Sequence, residues 1–283
     1  MKDDAHRLSM AQLMASNKAY VDKCDELDGV KDGIVTFQEM CNYNPETIQC
    51  KDGNKDGCLT KTQVEALKDI YGGTRNLRTG KIVFAGFAPG SEQQLMALTS
   101  GPEPFSVATS FFRDVVFNDP NWNFKSFDYD KDLDASYKAA SDILDAKPDG
   151  FSKFFKKGGK LLLSHGWADG LIPAPNTVAF YKTMIAGMDK DKASDSVRLF
   201  MVPGMGHCGG GTGPSVLDML SVIDTWVTEG KAPEKIIAST PPSGPMNPNQ
   251  KQMTRPICPY PKVAVYKGSG STDDAANFEC KVK

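Results

Sequence analysis

The chain has 283 residues, 40% of them hydrophobic and 24% charged, with a formal net charge of −2, enough to bury a sizeable core as one large domain or two modest ones. So balanced a charge makes no electrostatic case for nucleic acid or an anionic membrane as partner. No apolar run approaches the ~18 residues of a membrane span, and the opening MKDDAHRLSMAQ has no apolar stretch of the signal-peptide kind.

In chain order, residues 8–21 space Leu8, Ala11, Leu13, Met14, Ala15, Tyr20 and Val21 as one face of an amphipathic helix. Residues 24–35, CDELDGVKDGIV, then set oxygen donors at Asp25, Asp28 and Asp32, with Gly29 and Gly33 to let the backbone turn tightly. Alternating spacing would place the carbonyls of Val30 and Ile34 beside the three carboxylates, a donor set that suits a hard cation such as calcium. The same spacing equally suits an Asx-rich surface turn. The next loop, DGNKDGCLTKTQ at residues 52–63, looks like an EF-hand opening, with Asp52, Asn54, Asp56 and Gly57 at the first, third, fifth and sixth positions. Its twelfth position is Gln63 rather than a bidentate Glu, and Thr60-x-x-Gln63 reads as a capping box for a helix over residues 61–71, so this loop is expected to bind no metal.

Residues 72–134 are rich in turns and aromatics. Phe111, Phe112, Phe117, Trp122, Phe124 and Phe127 read as ordinary core of a small domain or as the lining of an apolar ligand pocket. Arg113 is a candidate carboxylate binder, with a surface ion pair as the plainer expectation. From about Asp145 the texture turns α/β: a strand over residues 160–164, a helix over 176–186 opened by Pro173 and Pro175, and a strand over 197–202. Ser215-x-x-Asp218 is expected to cap a helix with the apolar face Val216, Leu217, Leu220, Ile223, Trp226 and Val227, ended by Gly230.

The two strands share one layout. Each is a short apolar run ending in a loop, KLLLSHGWADG carrying Asp169 and VRLFMVPGMGHCGGG carrying His207. Working residues of open α/β sheets sit at the carboxyl ends of strands, and Asp before His is the second half of a Ser…Asp…His order. The first half is missing. Ser164 lacks the glycine frame of a nucleophile elbow, Ser215 reads as a helix cap, and Cys208 is adjacent to His207, so that their side chains point apart. His165 reads as a loop-packing residue and His6 as a surface one.

Seven cysteines without C-x₂-C spacing favour disulfides. Cys24/Cys41, Cys50/Cys58 and Cys258/Cys280 are each local in sequence, which leaves Cys208 over. An exported protein whose N-terminal portion lies outside this chain would account for both the odd cysteine and the missing signal.

Four stretches, CDELDGVKDGI, KLLLSHGWADGLIP, VRLFMVPGMGHCGGGTGP and WVTEGKAPEKI, in that order, closely resemble the tannase/feruloyl esterase family of α/β-hydrolases. The resemblance extends over essentially the whole chain. It implies the C-terminal part of an α/β-hydrolase core, with few parallel strands plus helices over residues 149–283 and a Pro-rich, disulfide-closed tail. A mixed lid domain, stabilised by disulfides and calcium, would occupy residues 1–148. It implies Asp169 and His207 as the acid and base of a Ser-His-Asp triad acting on small aromatic (phenolic) esters. Calcium ligands would be Asp25, Asp28, Asp32 and the carbonyls of Val30 and Ile34, and the disulfides would be Cys24–Cys41, Cys50–Cys58 and Cys258–Cys280. The counterpart of Cys208 bridges to a cysteine just before the nucleophilic serine.

The family's C-S-x-G-G elbow lies ahead of the calcium loop, and only a short segment precedes that loop here. The expectation is therefore a C-terminal portion of a secreted or periplasmic esterase, inactive alone, whose serine, oxyanion-hole amides and Cys208 partner lie upstream of Met1. The alternative is a non-catalytic calcium-stabilised binding module, or a C-terminal partner that complements a chain bearing the serine.

Overall fold

Two interlocked capping boxes organise the first helices of the computed structural model, which describes residues 3–51, 57–76, 78–99, 101, 103–243 and 251–282. Helix α1 (Met10–Cys24) starts at Ser9, whose hydroxyl accepts from the Gln12 N–H while the Gln12 side chain accepts from the Ser9 N–H. Helix α2 (Lys61–Gly72) repeats the device with Thr60 and Gln63, as its sequence predicts. The two box glutamines then meet, Gln12 Nε2 donating to Gln63 Oε1 at 2.8 Å. Behind them Leu8, Leu13, Leu59, Val64, Leu67 and Leu95 form one buried cluster.

A short antiparallel hairpin, β1 (Thr74–Arg75) and β2 (Ile82–Phe84), leads to α3 (Glu92–Thr99). The carboxylate of Glu92 is fully buried and accepts from Tyr71 Oη, from Asn17 Nδ2 at 2.9 Å and from the Gly90 N–H at 2.9 Å. These bonds fasten the start of α3 to α1 and α2. Next, α4 (Ser106–Ser110) runs into a π-helical turn, Phe111–Val116, and α5 (Lys131–Leu144) follows. The turn-rich texture of this region did not foretell α5. Within it Phe112 touches Phe111, Phe117, Trp122 and Phe127, yet every one of these rings is only half-buried.

The remainder runs α6 (Ser152–Lys156), β3 (Leu161–Gly166), α7 (Ala174–Ala186), α8 (Lys190–Ser196), β4 (Val197–Val202), α9 (Met219–Glu229), then β5 (Ile236–Ser239), β6 (Thr254–Ile257), β7 (Val263–Tyr266) and β8 (Phe278–Lys281). Strands β3 and β4 are parallel, with Leu161 opposite Val197 and Gly166 opposite Val202, and α7 lies in the crossover between them. Both faces of β4 are covered, which is why its sequence is apolar almost without a break. Val197, Leu199 and Met201 pack with Val178, Tyr181 and Met184 of α7. Phe200 and Val202, on the other face, pack with Ile236, Ala238 and Ile257. Strands β5/β6 and β7/β8 are antiparallel pairs, and Tyr260 N–H donates to Leu199 O at 2.8 Å beside the outer edge of β4.

The three expected disulfides are formed, Cys24–Cys41, Cys50–Cys58 and Cys258–Cys280, and Cys208 is a free, exposed thiol. The α9 expectation needs two corrections. Its cap is Asp218, whose side chain accepts from the Ser221 N–H. Ser215 is not a cap: its own N–H and that of Val216 go to Ser239 O, which keeps this stretch extended. And of the expected apolar face only Trp226 is buried, while Leu220 is 81% and Val227 61% exposed. Among the described residues no helix is long and apolar enough to cross a membrane.

Candidate active site

Because β3 and β4 are adjacent, parallel and in register, their carboxyl ends bring two loops side by side. The loops are then laced together by backbone bonds: Trp167 N–H to Val202 O at 2.9 Å and Ala168 N–H to Met205 O at 3.0 Å. Asp169 and His207, each predicted from the end of its own strand, meet here, His207 Nδ1 lying 2.9 Å from Asp169 Oδ2. Asp169 is buried, and its other oxygen accepts from the Leu171 and Ile172 N–H groups at 2.8 and 2.9 Å. Burial pushes the Asp169 carboxyl up, but the Ile172 N–H, His207 and the Leu171 N–H together hold it below the usual carboxylate range. The His207 side chain is 37% exposed. Among the described residues Asp169 is the only side chain to which its ring is hydrogen-bonded, which leaves Nε2 without a hydrogen bond.

Two further side chains complete this centre, and neither was read as functional from the sequence. Gln94, from α3, accepts on one oxygen from the His207 N–H at 2.8 Å and from the Gly170 N–H at 3.3 Å, so a single amide holds both loops. Glycine is required at the two points of closest approach: a Cβ at Gly206 would lie 2.0 Å from Gln94 Nε2, and one at Gly170 would lie 2.6 Å from Gln94 Cβ. His165, read as a packing residue, faces Asp169, with Nε2 at 3.1 Å from Oδ2. No spacing in the sequence marks this contact, since residues i and i+4 are neighbours on a helix and His165 stands on β3.

The acidic loop at residues 24–35 folds inward. Asp25 and Asp28 are buried, as are Val30 and Ile34, and the side chain of Asp32 is 4% exposed. Asp25 accepts from the N–H groups of Asp32, Gly33 and Ile34, Asp28 from Val30 N–H, and Asp32 from Ile34 N–H and from the guanidinium of Arg255. Burial pushes Asp28 up, and pushes Asp32 up to about 6 against the opposing pull of Arg255. Oxygen-donor chemistry and excess negative charge suit a hard cation, but each carboxylate is directed at the loop's own N–H groups. Among the described residues no group of three or more His, Cys, Asp or Glu side chains is arranged to hold a metal. Asp52, Asn54 and Asp56 of the second acidic loop lie outside the described residues. Arg113 forms an exposed ion pair with Asp114 at 2.6 Å, the plainer of its two expected roles.

The sequence matches the family model described as tannase and feruloyl esterase over residues 1–281. An uncharacterized esterase of Xanthomonas campestris is 31% identical over 98% of the chain and 55% of its own length. A probable feruloyl esterase B-2 of Aspergillus terreus is 32% identical over 97% of the chain and likewise 55% of its own length. The chain thus spans about half the length of the curated relatives it matches. Among solved structures, feruloyl esterase B from Aspergillus oryzae superposes with a TM-score of 0.82 at 27% identity, covering 99% of this chain and 58% of that one. The tannin acyl hydrolase from Aspergillus niger, at 18% identity and a TM-score of 0.75, shares the α/β fold, with 98% of this chain and 54% of that one covered.

Proposed function

The chain belongs to the tannase and feruloyl esterase family, and from that premise we propose that it carries the acid–base half of a serine esterase acting on phenolic esters. The observation that carries this reading is the 2.9 Å contact of His207 Nδ1 with buried Asp169, at the ends of adjacent parallel strands. In the reaction His207 Nε2 accepts the proton of a serine hydroxyl as that oxygen attacks the ester carbonyl. Asp169 keeps the remaining proton on Nδ1 and stabilises the imidazolium. The imidazolium then protonates the departing alcohol, and water, deprotonated by the same ring, hydrolyses the acyl-enzyme. The serine is supplied from outside these residues: the sequence has neither C-S-x-G-G nor G-x-S-x-G, and His207 Nε2 makes no hydrogen bond among the described residues.

The chain alone is expected to hydrolyse methyl ferulate and p-nitrophenyl butyrate at background rates. In a longer protein that includes the serine, His207→Ala is expected to cost on the order of 10⁶ in kcat and Asp169→Asn about 10⁴. Turnover by the chain alone that His207→Ala abolishes would overturn the assignment of the nucleophile.

A complementing role, in which the chain docks onto a segment bearing the serine, is favoured by a different observation. Among the described residues β3 pairs only with β4, and Leu220 and Val227 stand exposed on α9. Aggregation in gel filtration supports this docking role, whereas a well-behaved monomer with a titratable Cys208 thiol supports a self-sufficient binding module. We assign residues 1–148 to a lid and 149–283 to the hydrolase core, and place the protein in an oxidising compartment on the strength of its three disulfides. Calcium at residues 24–35 belongs to the same reading. Three buried carboxylates lie there, a buried guanidinium, that of Arg255, is paired with Asp32, and a cation would require Asp25 to turn from the backbone. EDTA is expected to lower the melting temperature, and an unmoved value removes the metal.

A further inference from the structure

Asp169 Oδ2 receives two imidazoles rather than one. His207 Nδ1 approaches it at 2.9 Å and His165 Nε2 at 3.1 Å. His165 Nε2 also lies 3.2 Å from Ile172 O. A carboxylate and a carbonyl are both acceptors, so both favour a hydrogen on the nitrogen between them. The other nitrogen, Nδ1, is 2.7 Å from Thr177 Oγ1 in the first turn of α7. A hydroxyl can donate there, and a neutral ring protonated on Nε2 then satisfies every contact it makes.

We propose that His165, held in its Nε2–H tautomer by Thr177, is a positioning residue for the Asp169–His207 pair. It delivers a second N–H to Asp169 Oδ2, and so fixes which carboxylate oxygen His207 meets and from which direction. The inference rests on the reading of Asp169 and His207 as an acid–base pair and adds to it a third and a fourth member. Asp169 thereby has four donors: the Leu171 and Ile172 N–H groups on one oxygen, His165 and His207 on the other. Its side chain is only 5% exposed, so a donor withdrawn from it is not readily replaced by water, and the carboxylate must turn to find another. The donors also come from separate pieces of the fold. His165 is on β3, Thr177 on α7, and His207 on the loop after β4. The position of the carboxylate is therefore referred to the sheet and its crossover helix together, as a supporting shell around a reactive imidazole requires.

The chain contains 3 histidines, so ¹⁵N-imidazole spectra of the whole protein can be assigned with single substitutions at His6, His165 and His207. The expected result is a neutral His165 with its proton on Nε2, and a mixture of tautomers at that ring in Thr177→Val. His165→Gln retains an amide N–H to donate and is expected to keep His207 as the Nδ1–H tautomer. His165→Leu, which cannot donate, is expected to shift His207 to a mixture with a several-fold larger share of Nε2–H. Melting curves confirm that each variant is folded, and where His165→Leu is not, Thr177→Val decides. A His165 proton on Nδ1 in the unaltered protein, or an unchanged His207 in folded His165→Leu, overturns the proposal. No esterase rate enters this measurement, so its failure is distinct from a failure of the catalytic assignment.

Discussion

The strand pair β3/β4 and residues 103–144 are both rich in large apolar side chains, and they treat them in opposite ways. Val197, Leu199, Phe200 and Val202 are fully buried. Over residues 103–139 no side chain is, although Phe112 is surrounded by four other rings. The difference lies in coverage. Strand β4 has α7 on one face and β5 and β6 on the other, whereas α4, the π-helical turn and α5 pack mainly on one another. Apolar content identifies what wants covering, and a second layer decides whether it is covered. The Asp169–His207 pair sits on the covered region, where its geometry is held by β4, β3 and α3 at once.

That contrast can be broken most directly in the core. Phe200→Ala is expected to cost about 3–5 kcal/mol in urea denaturation, against less than about 2 kcal/mol for Phe112→Ala, whose ring is half-buried and loses less area from water. Equal losses would place residues 103–144 in a core of the same kind as β4. A polar counterpart of similar size is Arg255→Met. It leaves Asp32 as a buried carboxylate without its guanidinium, and is expected to cost about 3–5 kcal/mol, read from the same urea curves.

At the site, the contrast sharpens with pH. In the folded chain the Asp169 carboxyl is held below its usual range, so its stabilising contribution is complete above that range and is lost as the pH falls through the folded value. Melting temperatures of Asp169→Asn are therefore expected to fall less steeply on acidification than those of the unaltered chain, the two curves converging at low pH. Parallel curves would mean that Asp169 is not stabilised as an anion. The smallest effect is expected on the uncovered face of α9. Leu220→Lys should change stability by less than about 0.5 kcal/mol, and light scattering should show less self-association, since it removes an exposed apolar side chain.

Much of the frame is legible in the linear order of residues. The unbroken apolar run of β4 means a strand covered on both sides, and the loops after β3 and β4 carry Asp169 and His207. Thr60-x-x-Gln63 marks the start of α2 in the sequence, because a capping box joins residues only three apart. The cap of α9 was misplaced for an equally physical reason. Ser215 has the right side chain, but its N–H is engaged by Ser239 from another strand, and the helix begins three residues later at Asp218. The exposure of Leu220 was hidden as well, since periodicity marks an apolar face without saying what lies against it.

What the sequence by itself determined is therefore local: where strands end, where helices are capped, and which loops carry an imidazole, a carboxylate or a cluster of oxygen donors. Only the tertiary structure decided that Asp169 would be met by His207, His165 and two backbone amides, and that Gln94 would fasten both loops with one oxygen. The reason is range. Caps and periodicities act between neighbours a few residues apart, whereas α3, β3, α7 and the loop after β4 come together only once the parallel strands are in register and their apolar faces are covered.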